Sequence, residues 1–370
     1  MRHARRGFRT LPDMLALPEI APVECTTRWP LLRRIMVVTD AWKPQVNGVV
    51  RTMTTVAGEL EAMGHTVAVV GPDRFRTIPC PTYPDIPLSL FPGRKLAQTI
   101  EDFRPDTLHI STEGPLGVAA RRWALRHEAA FTTAFHTRFV EYIRARTGIP
   151  AAPIYAWMRR FHGAASGTMV ATQSLRDDLT ERGFRNIRAW TRGVDLDLFR
   201  PYERNDFLDL PRPVFIYIGR VAVEKNIGAF LSLDLPGSKV VVGGGPQLEA
   251  LRKAYPTVHF TGPRFGEALV RSYASADVFV FPSLTDTFGL VLLEALACGT
   301  PVAAFPVTGP RDVLAGAAAP VGATGWDLKD AALMALSADR GACRAHAETF
   351  SWRTCAEIFV SCLVPIGLRW

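Results

Sequence analysis

The chain has 370 residues, 48% of them apolar and 21% charged, enough for two globular domains of ordinary size with sizeable cores. Its net charge of +8 lies in the first half: residues 1–200 hold 28 Lys and Arg against 19 Asp and Glu, whereas residues 201–370 hold 15 against 16. No run reaches the roughly 18 apolar residues of a membrane-spanning helix, and the six cysteines (Cys25, Cys80, Cys298, Cys343, Cys355, Cys362) lack zinc or C-x-x-C spacing, so they read as reduced thiols of a cytosolic protein.

In chain order, residues 1–32 form a basic arm in which Arg2, Arg5, Arg6 and Arg9 precede any acid and Pro12, Pro18, Pro22 and Pro30 break any periodicity. It lacks the apolar core of a secretory signal and is expected to be disordered. The arginine-rich half as a whole points to an acidic partner, namely anionic lipid, a phosphorylated acceptor or nucleic acid. GC-rich codon usage is the bland alternative, but residues 201–370 do not share the excess.

Folding is expected to begin with Arg33–Thr39, a short β-branched run typical of a buried parallel strand. A loop with Pro44 and Asn47-Gly48 leads to a helical pattern over 49–63, closed by Gly64. Strands follow at Thr66–Val70, Thr107–Ile110, Phe131–Phe135 and Thr168–Ala171, with helix-like segments between them. This alternation predicts a parallel sheet covered on both faces. Residues 33–192 therefore read as one domain and 193–213, rich in Pro, Asp and Arg, as a linker. The rhythm restarts at Val214–Ile218 and continues through Lys239–Val242, Val258–Phe260, Asp277–Phe281 and Pro301–Ala304, with helices near 246–254, 265–274 and 290–297. Residues 214–350 form the second domain. The fold class is thus α/β: two Rossmann-like, doubly wound domains whose strand carboxyl ends face one another across a cleft.

Pro282–Gly299 is the most informative stretch. It follows a strand and brings together Asp286, a Phe288-Gly289 turn, a helix start at Leu290 and a second acid, Glu294. Unpaired backbone N–H groups at a helix start favour an anion, and two carboxylates nearby suit hydroxyls. Phosphate with hydroxyls describes a nucleotide sugar. The bland alternative has Asp286 capping the helix and Glu294 solvated. After the strand that opens the second domain, Arg220 and Lys225 can grip a diphosphate as fork and point charge, or stand as surface cations. Asn47-Gly48 lets backbone approach a phosphate or sugar, or is a tight turn; it is not the G-x-G-x-x-G fingerprint of a nicotinamide enzyme. His136 ends a strand of the first domain, which suits function or a structural hydrogen bond, while His109 reads as structural. Gly244, in the Gly243–Pro246 turn, can approach the nucleotide, and backbone groups at the strand end around Phe260 can read a base. Glu113 lies in the Glu113-Gly114-Pro115 loop, on the acceptor side. Asp195-Leu196-Asp197 reads as turn chemistry rather than metal binding.

Taken in order, Asn47-Gly48, Phe135-His136-Thr137, Arg192–Asp195, Gly219-Arg220 with Lys225, and Phe288-Gly289-Leu290 through Glu294 resemble the family 4 retaining glycosyltransferases of the GT-B fold. The likeness covers the chain from about Arg33 to the last helix. His109–Pro115, Ala134–Phe139 and Cys80–Pro84 narrow it to bacterial lipid-directed members: α-mannosyltransferases and glucosyl- or sulfoquinovosyl-glycolipid synthases.

The resemblance implies transfer of a hexose, from GDP-mannose or a UDP-hexose, to a lipid or glycan hydroxyl with retention of configuration. It makes His136, Asp286, Arg220 and Lys225 catalytic. The donor would be bound by Asn47, Gly48, Arg220, Lys225, Gly244, Phe260, Asp286, Phe288, Gly289, Leu290, Val291 and Glu294, and the acceptor side would include Glu113 and Arg138. Arg220 and Lys225 would hold the diphosphate, Glu294 the ribose hydroxyls and Asp286, standing where the family has glutamate, the sugar. No metal or other cofactor and no nucleic acid is implied. The expected location is the cytoplasm, with peripheral attachment to the inner face of the membrane, and residues 351–370 would carry a helix back to the first domain. A nucleotide-sugar epimerase or a non-catalytic nucleotide-sugar-binding protein of this fold is the alternative.

Overall fold

The computed structural model describes residues 33–45, 47–80, 83–136, 140, 148–203 and 209–370. The first lobe opens with β1 (Arg34–Val38), whose last four residues are all buried, as a central parallel strand demands. Helix α1 (Gly48–Ala62) follows and buries Val50, Met53, Val56 and Leu60 at helical spacing. Next come β2 (Thr66–Val70), the hairpin β3 (Thr77–Cys80) and β4 (Tyr83–Ser89), α2 (Gly93–Phe103), β5 (Thr107–Ile110), α3 (Pro115–Arg126) and β6 (Thr132–Ala134). Then α4 (Ala151–His162), β7 (Gly167–Val170), α5 (Gln173–Glu181) and β8 (Ile187–Ala189) complete the lobe. Its six-stranded sheet runs β2-β1-β5-β6-β7-β8, parallel throughout.

The second lobe contains β9 (Val214–Ile218), α6 (Ile227–Leu231), β10 (Ser238–Val242), α7 (Leu248–Ala254), β11 (His259–Gly262), α8 (Gly266–Ser275) and β12 (Val278–Phe281). It continues with α9 (Leu290–Ala297), β13 (Val302–Ala304), α10 (Thr308–Leu314), β14 (Gly322–Thr324), α11 (Leu328–Ala335) and α12 (Arg340–Ala347). The sheet order is β11-β10-β9-β12-β13-β14, again parallel. The chain then returns through α13 (Trp352–Cys362), which packs Trp352, Cys355 and Phe359 into the first-lobe cluster of Ile35, Val37 and Trp190. The Trp190 indole donates to the Cys355 carbonyl at 3.1 Å, and Ile366 N–H to the Asp106 carbonyl at 2.8 Å.

Two doubly wound α/β units are therefore present, as the strand-helix rhythm predicts. The differences are local. The antiparallel β3–β4 hairpin interrupts the rhythm where Pro79, Pro84 and Pro87 stand, because a two-stranded ladder tolerates residues that cannot donate. Strands β8 and β14 have only three residues each, too few for a periodicity to register. The start of the linker is not a loose tether: Val194 and Phe199 are buried in the second lobe's core, and Val194 bridges to Ser351. Each sheet reverses winding direction once, between β1 and β5 and between β9 and β12. Such switch points leave a crevice at the strand carboxyl ends, where ligands bind.

Candidate active site

The loops after β9 and β12 meet at the second switch point. Lys225 closes a short 3₁₀ turn, and its Nζ donates to both carboxylate oxygens of Asp286 at 2.7 and 2.8 Å. The two side chains are 21% and 19% exposed, so the pair is accessible yet partly desolvated. Asn226 joins the same loops, its Nδ2 donating to the Pro282 carbonyl at 3.1 Å. Arg220 presents its carbonyl to the Tyr217 hydroxyl at 2.8 Å. The β9 and β10 loops are packed so closely that a Cβ on Gly243 would lie 1.8 Å from the Gly219 carbonyl oxygen. Gly244 turns its own carbonyl to Val221 N–H at 2.9 Å.

Helix α9 starts from Gly289, whose φ of +87° favours glycine. Phe288 is buried, with its ring edge-on to Phe350, so only its backbone is offered to a ligand. Leu290 packs on the second lobe's core and also on the first-lobe cluster, and a Cβ on Gly48 would meet its Cδ1 at 3.9 Å. Val291 packs on the second lobe's core alone. The starts of α1 and α9 thus face each other across the cleft. Asn47 is spent on capping α1: its Oδ1 accepts from Val49 and Val50 N–H at 3.0 Å.

Glu294 is buried rather than solvated. Its Oε1 pairs with Arg51 Nη1 from the first lobe, and its Oε2 accepts from the Tyr273 hydroxyl at 2.9 Å. Burial, then Glu294, pushes the Tyr273 phenol well above its ordinary range, so it stays a donor.

His136 faces this site from the end of β6. Arg192 donates to its Nδ1 at 3.3 Å, and Ser111 Oγ lies 2.9 Å from its Nε2. Because a guanidinium only donates, Nδ1 must accept, and the ring proton sits on Nε2 toward Ser111. Burial, reinforced by Arg192, holds the imidazole well below its ordinary value, so it is neutral. Arg192 itself is buried and pushed down to about 10, still charged at neutral pH. The Thr287 hydroxyl donates to the His136 carbonyl at 2.6 Å. Asp40, at the end of β1, accepts from Leu116 and Gly117 N–H at 2.8 and 3.2 Å and from the Thr112 hydroxyl at 2.9 Å, anchoring the loop that carries Glu113.

Other expected groups have partners within the protein. The Phe260 ring packs against the second lobe's core from β11, an edge strand, so any contact with a nucleotide there falls to the backbone. The Glu113 carboxylate turns to His162 Nε2 at 3.2 Å. Arg138 lies outside the described residues. Asp195 caps its own turn, accepting from Asp197 and Leu198 N–H at 3.2 and 2.9 Å. Arg51 and Tyr273 have no motif to mark them, and Ser111, Arg192 and Thr287 lie within marked stretches that assign them no role. One signal existed for Arg51, since a cation in the first turn of a helix opposes the dipole and needs another reason to be there.

Residues 46–198 match the model of Glycosyltransferase Family 4, and residues 212–336 that of Glycosyl transferases group 1. A GDP-mannose-dependent alpha-mannosyltransferase of Mycobacterium tuberculosis is 32% identical over 329 residues, covering 80% of this chain and 86% of the relative. The chain belongs to the family 4 glycosyltransferases. Sulfoquinovosyl transferase SQD2 of Arabidopsis thaliana is 34% identical over 256 residues, covering 65% of this glycosyltransferase and 50% of the plant protein. A sucrose-phosphate synthase from Thermosynechococcus elongatus superimposes with a TM-score of 0.70 at 21% identity, covering 89% of this chain and 98% of that one, which supports the GT-B fold. These matches do not favour the epimerase or non-catalytic alternatives. Among the described residues, no helix of the glycosyltransferase is long and apolar enough to cross a membrane.

Proposed function

We propose that this glycosyltransferase moves mannose from GDP-mannose to a hydroxyl of an anionic lipid acceptor, with retention of configuration and without a metal. The observation that carries the reading is the grouping of Lys225, Asp286 and the α9 start at the switch point of the second sheet. The choice of donor is supported by two relatives of 32% and 30% identity, both named GDP-mannose-dependent alpha-mannosyltransferases.

In this reading Arg220, Lys225 and the N–H groups at the α9 start hold the diphosphate. As the anomeric carbon–oxygen bond to the phosphate breaks, they stabilise the charge that collects on the departing oxygen. The acceptor hydroxyl attacks the same face, and its proton passes to that phosphate oxygen. Asp286, oriented by Lys225, accepts from a sugar hydroxyl. Neutral His136 lies on the far side of the sugar, with Thr287 fixing its backbone to the acid loop.

A groove of about 570 Å³ between α2 and α3 supports a lipid acceptor. Phe91, Val118 and Trp123 line it, Arg94, Arg122 and Arg126 edge it, and none of its lining residues is acidic. Apolar surface rimmed by arginine suits acyl chains under a phosphate headgroup, and peripheral attachment to an anionic membrane follows from the same chemistry.

The test is incubation of the full chain with radiolabelled GDP-mannose, UDP-glucose and UDP-galactose, with and without vesicles containing phosphatidylinositol or phosphatidylglycerol, and with EDTA in parallel. Label should pass from GDP-mannose to the lipid phase, salt should weaken vesicle binding, and EDTA should leave the rate unchanged. If none of these sugar nucleotides were consumed, the reading would fall.

A further inference from the structure

Glu294 is held from both lobes at once. Tyr273 belongs to α8 and donates to Oε2 at 2.9 Å, whereas Arg51 comes from the first turn of α1 in the other lobe and pairs with Oε1. The Glu294 side chain is 5% exposed and that of Arg51 37%, so a nearly buried acid is paired with a cation that reaches solvent. Phe199 supports both donors: the Arg51 guanidinium lies 5.2 Å from its ring centre, and the Tyr273 ring meets it edge-on at 6.1 Å. A carboxylate has about four lone-pair positions. Tyr273 and Arg51 take one on each oxygen, and one on each oxygen is left, which matches a pair of neighbouring hydroxyl donors.

We infer that Arg51 is a positioning residue for the nucleotide, orienting the Glu294 carboxylate from the opposite lobe so that its remaining lone pairs meet the two ribose hydroxyls. The inference rests on the assignment of Glu294 to the ribose. It adds that the ribose site is complete only when the lobes are together, so nucleotide binding senses closure through Arg51. A cation on α1 serving only as lobe cement would affect every nucleotide equally, whereas a group that orients Glu294 acts only on nucleotides carrying both hydroxyls.

The experiment is calorimetric titration of the full chain with GDP, UDP and their 2′-deoxy forms. The proteins compared are the wild type, Arg51→Met, Arg51→Lys and Glu294→Gln, each first checked for a native unfolding transition. Methionine keeps an unbranched chain against Phe199 but removes the charge. The wild type should prefer the ribonucleotide. Arg51→Met should lose about tenfold or more in ribonucleotide affinity, the scale of a charged hydrogen bond, with far less change for the 2′-deoxy form. Arg51→Lys should recover part of the preference. If Arg51→Met kept the wild-type preference while Glu294→Gln lost it, Arg51 would be idle and the inference wrong. If Glu294→Gln also kept it, the ribose assignment itself would fall and the inference with it.

Discussion

The Thr287 hydroxyl donates to the His136 carbonyl oxygen at 2.6 Å, tying the acid loop of the second lobe to the histidine loop of the first. The carbonyl of the same Thr287 accepts from Thr172 Oγ1 at 3.4 Å, so one residue is held to the first lobe at two points. Thr287→Val preserves shape and removes the donor. A neutral hydrogen bond contributes about 0.5–1.5 kcal/mol, so kcat/KM for transfer is expected to fall roughly two- to twelvefold, with nucleotide affinity nearly unchanged. Steady-state kinetics beside nucleotide titration checks this; an equal loss in both would place Thr287 in nucleotide binding instead.

Lys225→Ala removes one of the two cations assigned to the diphosphate and leaves Asp286 without its partner. Loss of one preorganised donor of developing charge typically costs about 10²–10³ in turnover. Stability should change by no more than about 1 kcal/mol, because the pair is partly exposed and screened. Single-turnover transfer and thermal unfolding on the same sample separate the two effects. A normal rate would remove Lys225 from the site.

Two glycines give opposite expectations. At Gly48 a Cβ meets only the Leu290 side chain at 3.9 Å, ordinary contact, so Gly48→Ala should fold with unchanged Tm. A weaker grip on the donor in that variant would then report a ligand lying against the α1 start. At Gly243 a Cβ would stand 1.8 Å from a carbonyl oxygen, a backbone collision that cannot relax cheaply. Gly243→Ala should lower Tm by several degrees, the size of shift expected from more than about 1 kcal/mol of strain in a domain of this class. A Gly243→Ala protein as stable as the wild type would contradict the packing of the β9 and β10 loops.

Acid should destabilise the first lobe through its buried imidazoles. Burial, aided by Arg192, lowers His109 from its ordinary 6.5 to about 3, and His136 is shifted the same way. Between those limits the unfolded chain binds a proton at His109 that the folded chain refuses, so stability is present above about pH 6.5 and lost as pH falls toward 3. Each such histidine contributes a slope of up to about 1.4 kcal/mol per pH unit. His109→Gln, which retains a hydrogen-bonding group for the Thr132 hydroxyl, should flatten the curve. Denaturant melts from pH 4 to 7 measure it, and an unaltered slope would show that His109 does not titrate on unfolding.

The sequence alone determined the two doubly wound lobes, because the code for a buried parallel strand is local. Val214–Ile218 is five buried residues of one strand, read without knowing its neighbours. It also marked the loops: Lys225, Asp286, the Gly289 helix start and Glu294 all follow strand ends, where the doubly wound topology puts its crevice. A strand end marks where the backbone of Phe260 lies but not where its ring goes, which is onto the core.

Only the tertiary structure decided which groups share a proton or a charge. Lys225 and Asp286 are 61 positions apart and Arg51 and Glu294 are 243 apart, with the partners of the second pair in different lobes. The tautomer of His136 depends on Arg192, 56 residues away, and its charge on a burial that no local pattern encodes. Hydrophobic periodicity reports which face of an element is covered. Hydrogen bonds and ion pairs act over about 3 Å, and that proximity exists only once the sheets have been laid side by side.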